Sequence, residues 1–367
     1  MVKIAIGLSG GVDSAVAAYL LKQHGYEVVG VHLYCWPPKS EIEKDGSTRA
    51  EWIKKNGCRA DEDERMALKT ALELGIKFVK LDFSEEYNRR VVGYFYREYE
   101  AGRTPNPDVL CNSEIKFGLF LQWALENGFD HVATGHYAKL DDGQLMIPKD
   151  RHKDQTYFLW KLTAKELRHV RFPLSDYLKS EVRKMAKEAG LSVANRPDSQ
   201  GICFIGNVDT REFLARRLQK KTGEVKNTKG EVIGTHDGIW FYTIGQRGGW
   251  QLTAAAQRKY VKKEKTPIFY VISKDAKKNE LVVGVGKETE RQRFEVGETN
   301  WINGKTPQEK GVRVRIRHGG KLIPAEIVKR SDLLTVKLAE AQRGVAPGQS
   351  AVFYAKDGEM LGGGVIG

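Results

Sequence analysis

Ser9-Gly10-Gly11-Val12-Asp13-Ser14 follows a short apolar run, Ile4-Ala5-Ile6-Gly7-Leu8. It precedes Ala15-Val16-Ala17-Ala18-Tyr19-Leu20-Leu21, which reads as a helix. Strand, glycine loop and helix together present backbone N–H groups and a helix N-terminus to an anion. Adjacent glycines let the backbone approach closely, and the two serines add hydroxyl donors. The expected guest is phosphate; a tight βα turn without a ligand is the plainer alternative. The stretch is not a Walker loop, because no Gly-Lys-Ser/Thr ends it, and it lacks the Gly-x-Gly-x-x-Gly of a dinucleotide fingerprint.

Working outward, the first half alternates strand and helix. Strands are expected over 3–8, 28–33, 78–82 and 131–134, and helices over 14–24, 61–74, 84–101 and 111–127. The strands are apolar runs without polar alternation, so they should be buried on both faces of a doubly wound, mostly parallel sheet. Ligands of such sheets bind beyond the strand carboxyl ends, where Ser9, Leu33 and Gly135 stand. The segment 36–56 is long and polar and reads as a mobile lid. In Arg103-Thr104-Pro105-Asn106-Pro107-Asp108-Val109-Leu110-Cys111-Asn112 two prolines should hold the chain extended. Helices follow over 164–169 and 180–189. The character changes near residue 208, with a basic helix over 211–221. Short strands then follow over 269–272, 281–285, 311–317, 325–329, 334–338 and 351–354, suggesting a small β-barrel. The expected domains are 1–207, 208–277 and 278–367.

The totals bound the function. A chain of 367 residues suits two or three domains. It has no run of 18 apolar residues, and its first strand begins at once, so neither a membrane span nor a signal peptide is expected. The cytoplasm is the expected compartment. A net charge of +13 suits a polyanionic partner such as nucleic acid. The four cysteines, Cys35, Cys58, Cys111 and Cys203, form no Cys-x-x-Cys pair, which argues against a zinc ribbon, and no metal-ligating residues are singled out.

Several residues are candidates for chemistry. Cys111 stands where the proline loop meets a helix, and a helix N-terminus favours the thiolate. Asp108 is a candidate general acid or base, though its charge opposes that effect. An N-terminal packing cysteine and a turn aspartate are the alternative. Cys203, in Asp198-Ser199-Gln200-Gly201-Ile202-Cys203-Phe204-Ile205-Gly206, is either core filler or a thiol exposed by a loop. Cys35 and Cys58 have no supporting spacing and read as bystanders. Lys153-Asp154-Gln155 is a candidate phosphate or base contact or a polar turn, and His136 follows a strand end on the ligand side. In Val312-Arg313-Val314-Arg315-Ile316-Arg317 a period of two puts three arginines on one face, suiting a phosphate backbone or a solvated barrel surface. Ile239-Trp240-Phe241-Tyr242 reads as core more than as a base-stacking surface.

Taken together these stretches carry a resemblance. The Ser9–Ser14 loop resembles that of N-type ATP pyrophosphatases, of the adenine nucleotide alpha hydrolase-like fold. SGGVDS at 9–14, RTPNPDVLCN at 103–112, ATGHYA at 133–138, KDQTYFL at 153–159, DSQGICFIG at 198–206, YTIGQRGG at 242–249 and APGQSAVFY at 346–354 occur in one order. Over essentially the whole chain this is similar to the bacterial tRNA-specific 2-thiouridylase family, MnmA/TrmU.

The resemblance implies that ATP adenylates the C2 oxygen of wobble uridine 34 in tRNAs for glutamine, lysine and glutamate, and that sulfur then replaces it. It places ATP on Gly7, Leu8, Ser9, Gly10, Gly11, Val12, Asp13, Ser14, Leu33 and Gly135. Cys203 would carry a persulfide from a sulfur-relay donor. Cys111 would release the sulfur by forming a disulfide with Cys203, and Asp108 would act as acid or base. Asn106, Pro107 and Asp108 would lie against the target base. His136, Lys153, Asp154, Gln155, Arg315, Ile316 and Gln349 would contact tRNA. Magnesium would accompany ATP, with no permanently bound cofactor, and two thiols in their motifs favour the persulfide route over an iron–sulfur cluster. The regions 35–60 and 251–263 depart from the family pattern, which leaves lid and partner contacts open. Another adenylating pyrophosphatase and a non-catalytic tRNA-binding protein are the competing readings; the two cysteine motifs argue against both.

Overall fold

The computed structural model describes residues 1–56, 58–198, 209–261, 267–307, 311–330 and 333–367. Strand β1 (Lys3–Gly7) is the middle of a five-stranded parallel sheet. On one side it pairs with β2 (Glu27–Tyr34), which β3 (Lys77–Asp82) flanks. On the other it pairs with β4 (His131–Ala133), flanked by Val170–Arg171. The period of two sends Ile4 and Ile6 to one face and Ala5 to the other, and each face has its own core. Helix α1 (Val12–Gln23) and the helices Ala60–Leu74 and Lys179–Glu188 cover the first face through Val16, Ala67, Ala71 and Val182. The helical runs 84–100 and 107–126 cover the second through Phe95, Ile115 and Phe120. The sheet is doubly wound.

Strand order reverses at β1. The chain steps outward to β2 and β3, then returns to β4 on the opposite side, opening a crevice at the carboxyl ends of β1 and β4. Burial on both faces fails for β3, whose residues are half-buried or exposed because it is the edge strand. Leu33 lies within β2, not beyond it. The segment 36–56 is not a loop: it forms the helices Lys39–Asp45 and Arg49–Asn56. Trp36 and Trp52, each 3% exposed, meet edge to face at 5.8 Å, so aromatic burial outweighs the polar composition.

The basic helix expected over 211–221 is only Thr210–Ala215. Arg217, beyond it, lies 4.6 Å over the Tyr96 ring and pairs with Glu41, tying this segment to the N-terminal half. A central sheet follows, in the order Gln251–Leu252, Val232–His236, Gly223–Lys226, Glu280–Gly284 and Tyr270–Asp275. Ile239, Phe241 and Tyr242 are core residues. Because Glu280–Gly284 pairs with Gly223–Lys226, a domain break at 277/278 would cut that sheet; we propose a break between Gly284 and Glu290. The last domain is a closed six-stranded barrel: Glu290–Trp301, Leu333–Arg343, Ile323–Arg330, Val312–Arg315, Ser350–Tyr354 and Met360–Ile366. Val312, Val314, Ile316, Val336 and Phe353 fill it. Among the described residues no helix is long and apolar enough to cross a membrane.

Candidate active site

The Ser9–Ser14 loop lies in the crevice. No side chain caps the N-terminus of α1, which leaves its first-turn N–H groups to an outside acceptor. The serines shape the loop themselves. Ser14 Oγ donates to Gly11 O at 3.1 Å and accepts from Ser9 N at 3.1 Å, and Ser9 Oγ accepts from Gly11 N at 3.3 Å. Gly10 has φ +75°, and a Cβ there would stand 2.4 Å from Asp63 O. At Gly135, just past β4, a Cβ would stand 2.7 Å from Ser14 N. Of the adjacent glycines only Gly10 stands at a close approach, since a Cβ on Gly11 would meet nothing nearer than Ser9 Oγ at 3.4 Å; Gly135 adds a close approach that the sequence does not reveal. Leu8 and Leu33 are buried in the two cores, and Gly7 packs against Phe120 of the 107–126 helix.

Cations surround the loop. Lys179 Nζ is 2.6 and 2.7 Å from the two carboxylate oxygens of Asp13, which also accepts from Tyr137 OH at 3.0 Å. Lys179 lies 3.0 Å from Asp198, which also takes Lys153 at 2.7 Å and Arg183 at 2.5 Å. Burial opposes ionisation of Asp198, but the hydrogen bonds from Lys153 and Lys179 outweigh it and lower its pKa to about 2. Arg196 donates to Gly10 O at 2.5 Å and to Asp63 at 2.6 Å. Of these four cations only Lys153 was a sequence candidate. Lys179 and Arg183 share one helix face at i, i+4, but that spacing is as common on solvated helices.

The proline loop is extended only as far as Asn106 (φ −113°, ψ 91°). Pro107 opens the helix at its first position, where its missing N–H costs nothing. Asp108 is thus in the first turn, while Cys111 is one turn further in and fully buried, beyond the strongest part of the helix-end field. The stretch Cys111–Leu119 has π-helical turns. Neighbours hold the motif. Gln349 Nε2 donates to Thr104 O at 3.0 Å and Pro105 O at 3.2 Å. The Asn106 side chain hydrogen-bonds the Tyr157 hydroxyl, which donates to Ser350 O at 3.0 Å. Asn112 Nδ2 donates to Phe158 O at 3.2 Å. Cys203 and the 199–206 part of its motif lie outside the described residues.

Several of the expected tRNA contacts are engaged within the protein, and two of them, Asp154 and Arg315, face each other. Asp154 and Arg315 form a buried ion pair at 2.7 Å, with 2% and 9% of their side chains exposed. Asp154 also accepts from Thr156 N and Oγ1. The arginine face of Val312–Arg315 is therefore neither a free phosphate row nor a solvated surface at Arg315; it docks on the catalytic domain. Ile316 is barrel core. Gln155 Oε1 accepts from Tyr137 N at 2.9 Å. His136 is buried between Phe117 and Phe172, its Nδ1 2.7 Å from Thr134 Oγ1, and burial with the nearby Lys116 lowers its pKa well below the usual value. Cys58 is half-buried, and burial pushes its thiol pKa up.

Three family models match in sequence order: a tRNA methyl transferase HUP domain over residues 2–207, a tRNA methyl transferase PRC-barrel domain over 211–285 and an aminomethyltransferase beta-barrel domain over 291–366. Proteins named tRNA-specific 2-thiouridylase MnmA match nearly end to end. That of Pediococcus pentosaceus is 41% identical, over 99% of this chain and 94% of its own. That of Lysinibacillus sphaericus is 40% identical, over 100% and 94%. A solved 4-thiouridine synthetase–RNA complex with bound ATP is 19% identical over 56% of this chain and 45% of its own, at TM-score 0.34, too loose to bear on fold or function. These matches span nearly the whole of this chain and of the relatives, and the chain belongs to the tRNA-specific 2-thiouridylase (MnmA) family.

Proposed function

We propose that the chain is an ATP-dependent tRNA-uridine 2-sulfurtransferase that converts wobble uridine 34 to 2-thiouridine, releasing AMP and pyrophosphate. The observation that carries this reading is a continuous seam from phosphate loop to cysteine motif. Asp13 accepts from Tyr137, the Tyr137 N–H donates to Gln155, and three residues on Phe158 accepts from Asn112, the neighbour of Cys111. On this reading nucleotide chemistry and thiol chemistry share one wall.

The residues divide the work. The N–H groups of α1 hold phosphate oxygens in a loop whose shape the Ser9 and Ser14 hydroxyls fix, while Lys179, Arg183 and Lys153 supply the positive charge that a leaving pyrophosphate needs. Magnesium on the pyrophosphate would add to that charge. Adenylation turns the C2 oxygen into a leaving group. The terminal sulfur of a Cys203 persulfide attacks C2, and AMP departs with the oxygen. The Cys111 thiolate then attacks the Cys203 sulfur. The S–S bond to the base breaks with its electron pair staying on the base sulfur, giving C2=S and a Cys111–Cys203 disulfide that an external thiol reduces. Asp108 moves the protons. The partners are tRNAs for glutamine, lysine and glutamate and a persulfide donor, which puts the site of action in the cytoplasm.

ATP–pyrophosphate exchange tests the first step. Exchange is expected only when unmodified tRNA is present, because the tRNA oxygen is the adenylated atom. Equal exchange without tRNA would instead mark an enzyme that activates a small metabolite.

A further inference from the structure

His318 lies in the barrel turn between Val312–Arg315 and Ile323–Arg330 and is exposed. Its ring nevertheless crosses to the catalytic domain. Its centroid is 4.5 Å from that of Phe158, with the planes 33° apart, and 6.3 Å from that of Tyr157. Phe158 is half-buried. Three links tie this ring pair to the proposed chemistry. Asp108 is near enough for its charge to act on His318. Phe158 O is held by Asn112, next to Cys111. Tyr157 is hydrogen-bonded by the side chain of Asn106.

Two further observations point to a base. Asn112 is 2% exposed and its Oδ1 has no hydrogen-bond partner. Such an acceptor costs stability until a donor reaches it, and the imide N–H of a uracil is a donor of the right kind. Burial lowers the pKa of His318; Asp154 and Asp108 oppose it and Arg315 adds to it. That direction favours the uncharged ring, which suits a flat stacking surface better than a phosphate clamp. Unpaired RNA bases are commonly held this way, by stacking on aromatic and histidine rings.

We propose that His318 and Phe158 form the stacking subsite for the unpaired uracil that the enzyme modifies, with the exposed face of the imidazole as the surface on which the base lies. The proposal deepens the sulfurtransferase reading and rests on it for the identity of the base. His318 acts as a positioning residue: the base gains a fixed plane beside Asp108 and Cys111, and no proton passes through the ring.

The test is steady-state thiolation of an unmodified tRNA transcript by wild type, His318→Ala and His318→Phe from pH 6 to 8.5, with circular dichroism as the folding control. Loss of one base stack is expected to raise the KM for tRNA about 5- to 150-fold in His318→Ala. His318→Phe should restore most of that loss, with the pH profile unchanged in both. An unchanged KM in His318→Ala would overturn the proposal. So would a His318→Phe variant as impaired as His318→Ala, since the ring nitrogens and not the ring face would then matter. A second arm irradiates full-length wild type with transcript carrying 5-iodouridine at position 34 and maps the crosslink, which should fall on His318 or Phe158. If wild type binds tRNA but does not thiolate it, the sulfurtransferase reading fails by itself, while a crosslink mapping elsewhere refutes the subsite.

Discussion

One methyl group at Gly135 would press on the phosphate loop. Its Cβ would meet Ser14 N at 2.7 Å and Asp13 C at 2.8 Å, both backbone atoms that cannot swing aside. Gly135→Ala must push the turn after β4 away from α1 and distort the N–H groups proposed to hold the nucleotide. We predict a loss of ATP affinity of at least tenfold, corresponding to about 1.4 kcal/mol, by titration calorimetry. Gly143, in the hairpin between Lys139–Asp141 and Gln144–Met146, is the matched control. It has φ +78° with nothing near its Cβ, so Gly143→Ala should cost about 1 kcal/mol of stability and leave ATP affinity intact.

At the scale of elements, the junction between barrel and catalytic domain rests on Asp154 and Arg315. Asp154→Asn would leave a guanidinium buried without a counter-charge and should destabilise by about 3–5 kcal/mol in denaturant unfolding. Adding Arg315→Met should recover much of that loss; additive losses would show that the two side chains do not act as a pair. This junction was not legible in the sequence. Residues 312–317 alternate visibly, but the fate of Arg315 depends on a carboxylate 161 positions away. By contrast β1, α1, β2 and β4 were legible, because uninterrupted apolar runs bounded by glycine turns encode burial locally. Two barrel strands escaped notice. Glu290–Trp301 hides its two core residues, Phe294 and Val296, among charges. Met360–Ile366 is interrupted by Gly362, Gly363 and Gly364. Those glycines answer to tertiary packing: a Cβ on Gly363 would stand 2.7 Å from Trp160, whose Nε1 donates to Ser350 Oγ at 2.9 Å. Likewise Lys179, Arg183 and Arg196 became site residues only once the fold brought 179–196 back over α1. The contact that buries Trp36 against Phe213, with ring centroids 6.0 Å apart, is also long-range information, invisible in a charged and proline-containing stretch.

At the scale of the whole molecule, the doubly wound sheet supplies the crevice proposed for ATP, and the barrel braces the cysteine motif from the other side. Gln349 holds Thr104 and Pro105, Ser350 meets Tyr157 and Trp160, and Arg315 meets Asp154. The barrel is therefore part of the active site's scaffold, and its His318 turn reaches the same wall. A net charge of +13 favours a polyanion over an uncharged metabolite as the second substrate. The central claim is that this assembly exchanges one oxygen of uridine 34 for sulfur, using ATP. Mass spectrometry of nucleosides from an unmodified glutamate tRNA transcript, incubated with the protein, ATP, magnesium and a persulfide source, tests it most directly. The account predicts that the uridine at position 34 gains the mass difference of sulfur over oxygen, in proportion to AMP formed, and that Cys111→Ser abolishes the gain. Transcript that binds, with ATP present, and leaves with uridine 34 unchanged would contradict it.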